Sequence, residues 1–170
     1  MLDTTAVTRA FSTNADVLSG LEQHDRTRRE AAVERLQHSV PEFEKAADEV
    51  IAATLALVNS TKANMLELAQ DEIERRCAAV ENIERNFAVL LDVKRDLHKR
   101  VLSFLSEQDR VLFDRARPLI ARDEEASVRI CEAQRDARWA LMAVLADLFP
   151  PEEKVEISSA ADIRRALIGR

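Results

Sequence analysis

Glycine is nearly missing from this chain. Gly20 and Gly169 are its only two, and residues 21–168 contain none. Phosphate-cradling loops and nucleophile elbows need glycine where backbone turns tightly or approaches a ligand, so P-loop, Rossmann and α/β-hydrolase architectures are excluded. Tyrosine is absent, tryptophan occurs once, and the 46% of apolar residues are mostly Ala, Leu, Val and Ile. That balance suits a helical bundle better than a sheet, and together with 33% charged residues it excludes wholesale disorder. Cysteine is limited to Cys77 and Cys131, far apart and without a CxxC pair. Two reduced, partly buried thiols are expected, with a disulfide clamping two helices as the alternative. Arg75 and Arg76 precede Cys77 and would lower its pKa if they lay against it.

Concentrated positive charge is also lacking. The net charge of −6 is spread along the chain, whereas nucleic acid and anionic membranes select a basic face. No nucleic-acid partner is expected, and membrane-surface binding is a minor reading. The most basic stretch, "DVKRDLHKR" at residues 92–100, is interrupted by Asp92 and Asp96 and has no interleaved aromatics, so it reads as the charged flank of a helix seam. No apolar run approaches the roughly 20 residues that cross a bilayer. His24, His38 and His98 stand in no metal-ligand spacing and read as surface residues; no metal or other cofactor is expected. "TRAFST", residues 8–13, resembles the Arg-x-Phe/Ser cleavage pattern of mitochondrial presequences, but Asp3 and Asp16 oppose it. The expected compartment is therefore the cytoplasm, with the mitochondrial matrix as alternative.

What is present is helical periodicity punctuated by four prolines. Residues 1–13 are expected to be a flexible arm. A helix over 14–38 would be capped by Asn14, although its middle, "EQHDRTRRE", is polar all round. Pro41 would start a second helix running from 42 to 105, about 95 Å at 1.5 Å per residue. The candidate break within it is 59–64, and continuity is preferred. A turn near Ser106 leads to helices over 107–117 and 119–149, separated by Pro118. Residues 150–170 read as a linker followed by a short basic amphipathic helix.

The strongest pattern is a heptad-like seam: Val80, Ile83, Phe87, Leu90, Lys94, Leu97, Val101 and Phe104 alternate by three and four, as in a helix wrapping a partner helix. Polar Lys94 there would cost stability while fixing register. A second seam runs through Leu119, Ala126, Ile130, Ala133, Ala137, Leu141, Val144 and Leu148. Beside it, Trp139, Met142, Leu145 and Phe149 form another apolar face, so the end of that helix is greasy on two sides and calls for cover on both.

The sequence thus predicts an all-α, elongated antiparallel helical bundle with long coiled-coil-like helices. It carries no catalytic constellation, and a non-enzymatic scaffold or adaptor is the expected function. Self-association as a homodimer falls to Val80, Ile83, Phe87, Leu90, Leu97, Val101 and Phe104. Packing, or capture of another helical protein, falls to Trp139, Met142, Leu145 and Phe149.

Overall fold

A computed structural model describes residues 2–150, and over these the chain is an all-α bundle. Its helices are α1 (Thr5–Ser19), α2 (Arg26–Ala63), α3 (Gln70–Gln108) and α4 (Arg110–Leu148), with a single 3-10 turn at Gly20–Glu22. The three long helices each extend close to 60 Å at 1.5 Å per residue.

Pairings across the helices set the topology. Phe11 meets Phe43 and Gly20 meets Ala32, so α1 runs antiparallel to α2. Lys94–Asp123 and Arg138–Glu84 make α3 and α4 antiparallel. Arg122–Glu44 and Gln134–Thr54 hold α4 parallel to α2, and Phe11–Phe87, with Glu22–Arg100 from the turn that follows α1, hold α1 parallel to α3. Around the bundle the order is α1, α2, α4, α3, with α1 diagonal to α4.

The expected N-terminal boundaries are corrected. Residues 5–13 are not a free arm: they belong to α1, and Val7 and Phe11 are buried in the core. Asn14 caps nothing and lies buried inside that helix. The polar stretch after Gly20 holds the real break, because Asp25 accepts hydrogen bonds from the Thr27 and Arg28 amides and so caps α2. Arg29 ties this corner by donating from Nη1 to the carbonyls of Gln23 and His24, both at 2.8 Å. Gly20 eases a close approach: a Cβ there would stand 3.3 Å from Ala32 Cβ, a tight contact.

The 42–105 helix does not exist as one piece. α2 ends at Ala63, and the Asn64 amide and side chain both donate to the Ser60 carbonyl. Arg76 then crosses the reversal to donate to Thr61 Oγ1 at 2.8 Å. Conversely, neither Pro41 nor Pro118 ends a helix: α2 and α4 run through them. Each proline ring faces solvent while Val40, Phe43, Leu119 and Ile120 beside them are buried. Tertiary packing outweighs the roughly 3 kcal/mol an interior proline costs. Asp109, three residues beyond the expected Ser106, makes the last turn and accepts from the Leu112 amide. The tail helix expected within 150–170 lies outside the described residues.

The core is segmented. One apolar cluster holds Leu18, Leu21, Leu36, Leu105, Leu112 and Ile120; a second holds Phe11, Phe43, Phe87 and Ile130; a third holds Val58, Val80 and Leu141. Two polar layers interrupt α4's buried stripe between them, at Asp123 and at Gln134.

Candidate functional site

Asp123 is fully buried, and two other helices bring three donors to it. Asn14 Nδ2 from α1 and Lys94 Nζ from α3 reach Oδ1 at 2.7 and 2.8 Å; His98 Nε2 reaches Oδ2 at 2.9 Å. Burial alone would raise the Asp123 pKa, but the hydrogen bonds from His98, Lys94 and Asn14 and the Lys94 charge outweigh it and hold the carboxyl below its ordinary value. Asp123 is therefore an ionised acceptor, and the His98 nitrogen that donates to it is Nε2. Lys94 is 1% exposed and sits over two rings, 3.9 Å from the Phe11 centroid and 4.4 Å from Phe43. Burial lowers its pKa against the opposing pull of Asp123. Two aromatic faces and one carboxylate are what make a buried ammonium tolerable here.

This arrangement corrects the expectation that all three histidines are surface residues. His24 and His38 are exposed, whereas His98 is 2% exposed. Its Nδ1 has no hydrogen-bond partner; Glu124 Oε2 lies 3.5 Å away. His98, Glu124, Arg95, Lys99 and Arg117 together line a groove of about 500 Å³ between α3 and α4. No Ser, Thr or Cys is among the residues lining that groove, and nearby Ser127 Oγ–H donates to the Asp123 carbonyl. Among the described residues no cluster of three or more potential ligands could hold a metal ion.

The seam assigned to self-association is largely used within the chain. Val80, Phe87 and Val101 are buried against α4 and its neighbours, and Leu97 and Phe104 are half-buried on the first cluster. Ile83 and Leu90, also half-buried, line an open groove together with Phe87 and exposed Val89, beside Thr4 and Thr8 at the start of α1. The buried stripe of α3 in fact runs Phe87, Leu91, Lys94, His98, Val101 and Leu105.

The second face on α4 is open. Trp139 is 59% exposed, Met142 43% and Phe149 37%, while Leu145 is half-buried. The inner side of the same helix packs Ala137, Leu141 and Val144 into the bundle. Arg138, held by Glu84 at 2.7 Å, lies 5.3 Å from the Trp139 ring centre and fixes that ring on one side.

Both thiols are free. Burial raises the Cys77 pKa, assisted by Glu74; Arg75 and Arg76 both turn to Glu72 and do not activate it. Burial likewise raises that of Cys131. No helix among the described residues is long and apolar enough to cross a membrane. No family model, no curated protein and no solved structure matches this chain.

Proposed function

We propose that the chain is a non-enzymatic adaptor that binds another helical protein through the exposed end of α4. The observation that carries this reading is the exposure of Trp139 and Met142 on a helix whose opposite side is locked into the core, with exposed Phe149 at its C-cap. Large apolar side chains held on a rigid helix lose little conformational freedom on binding, and Trp is the residue type that most often anchors an interface. Met142 and Ala146, three and seven residues beyond Trp139, follow the spacing by which a helix lays one face against another, and Phe149 stands at the helix's C-cap. Self-association, where it occurs, has the Ile83, Val89 and Leu90 groove available, since the rest of the seam is packed internally.

The test combines Trp139→Glu with Met142→Glu. Both residues are exposed, so the variant should keep its helicity and melting temperature while losing a partner that the parent chain retains in affinity capture. Equal capture by parent and variant sinks the reading. Light scattering on both proteins separates the cases further: a dimer abolished by the two substitutions would make the partner a second copy.

A further inference from the structure

We propose that the groove between α3 and α4 beside the polar layer is a binding site for a small soluble phosphate or phosphate monoester. Three observations converge there. First, the groove has a volume of about 500 Å³, room for a compact ligand. Second, its walls carry Arg95, Lys99 and Arg117 against the single carboxylate of Glu124, leaving two positive charges at one place on a chain of net charge −6. Arg95 Nε is committed to Glu124 Oε1 at 2.9 Å and neutralises it. Lys99 is held only by a loose pair with Asp96 at 3.8 Å, both exposed, and Arg117 makes no ion pair among the described residues. These two cations are free to turn to a ligand. Third, His98 lines the groove and is almost fully buried, yet its Nδ1 has no hydrogen-bond partner; the Glu124 carboxylate, also on the groove wall, stands 3.5 Å from it. Buried polar atoms are rarely orphaned without a reason, and an unfilled ligand position is one.

The chemistry of that atom narrows the ligand. Asp123 Oδ2 pairs with Nε2, so in the neutral form of the imidazole the proton sits there and Nδ1 presents a lone pair that takes a donor. Lys99 and Arg117 ask for negative oxygens. A group that offers both within one tetrahedron is a phosphate bearing one hydroxyl: its P–OH donates to Nδ1 and its charged oxygens accept from the two cations. Sulfate and phosphodiesters carry the charge without the hydroxyl. This site is separate from the Trp139 face and its test is independent of the adaptor reading.

The full chain at low salt near pH 6.5, with ¹⁵N-labelled imidazoles, is titrated with inorganic phosphate, sulfate and dimethyl phosphate while the His98 Nδ1 resonance is followed. The expected result is a saturable shift with phosphate, with sulfate and dimethyl phosphate weaker by about tenfold, the scale of one charge-assisted hydrogen bond. Arg117→Gln, at an exposed position, should weaken phosphate about fivefold to tenfold at unchanged melting temperature. Phenyl phosphate binding like inorganic phosphate would extend the site to monoesters. No saturable shift overturns the proposal. So do equal responses to phosphate and sulfate, or full affinity in Arg117→Gln, since either would leave only diffuse attraction to a basic groove.

Discussion

Asp123→Ala is the substitution that most directly tests how the bundle's centre is held. One carboxylate accepts from Asn14, Lys94 and His98 at 2.7, 2.8 and 2.9 Å, and all three partners are buried. Removing one member of a buried ion pair typically costs about 3–5 kcal/mol, because the other charge stays in a poor environment. Two further buried donors lose their acceptor, each at about 1–3 kcal/mol. The terms are not additive: Lys94, whose pKa is already lowered by burial, can shed its proton and limit the first cost. An expected loss of about 4 kcal/mol or more remains, against a total stability of about 5–15 kcal/mol for a domain. Urea unfolding followed by circular dichroism should show the midpoint falling by about 2 M at a typical slope of about 2 kcal/mol per M. Arg100→Gln is the control. It breaks the exposed Arg100–Glu22 pair, whose geometry is equally short at 2.8 Å, and should barely move the midpoint. A loss below about 1 kcal/mol for Asp123→Ala would refute the reasoning, showing that the three donors are satisfied without the carboxylate.

Two further outcomes follow from the same structure. The folded-state pKa of Asp123 lies below its unfolded reference of 3.8, so its contribution is complete above that value and is lost as pH falls through the folded value. The difference in urea midpoint between the parent chain and Asp123→Asn should therefore be constant from pH 5 to 7 and shrink below about pH 3.5; a difference that persists unchanged to pH 2 counts against an ionised Asp123. Pro118→Ala restores an amide at an exposed position inside α4, and should raise stability by about 1–3 kcal/mol and the melting temperature with it; no gain would mean that the helix there is already shaped around the ring.

The all-α bundle and the inner seam of α4 were legible because each depends on residue type and period alone. The α3 stripe was half legible. Phe87, Lys94 and Val101 stand on the inner face, but the alternate positions are Leu91, His98 and Leu105 and not Leu90, Leu97 and Phe104. A search for apolar residues passes over His98, although shifting the seam by one residue places it inside. The polar layer was illegible for a related reason. "ARDEEAS" looks like a solvated acidic face, and nothing local distinguishes Asp123 from exposed Glu125. What buries Asp123 is Asn14, 109 residues away, and Lys94 and His98, 29 and 25 away. Patterns of one helix cannot reveal a charge that is stabilised by two others. The proline and N-terminal boundaries failed because local rules were followed where packing decided the outcome.

α4 joins these features. Its inner stripe alternates apolar clusters with Asp123 and Gln134, three helical turns apart. Each polar residue pairs with a different neighbour: Asp123 with α1 and α3, and Gln134 Nε2 with Thr54 Oγ1 of α2 at 2.7 Å. An apolar stripe sliding by one turn against its neighbours would still bury apolar surface, whereas a slide that separates Asp123 from Lys94 strands charges in the core. The polar layers therefore fix the position of α4 along the bundle axis relative to all three partners. That fixed position also determines where Trp139, Met142 and Phe149 stand on the outside, and it aligns Arg117 of α4 with His98 and Lys99 of α3 across one groove. The polar core is thus a register device whose effect is felt at both exposed surfaces of the same helix.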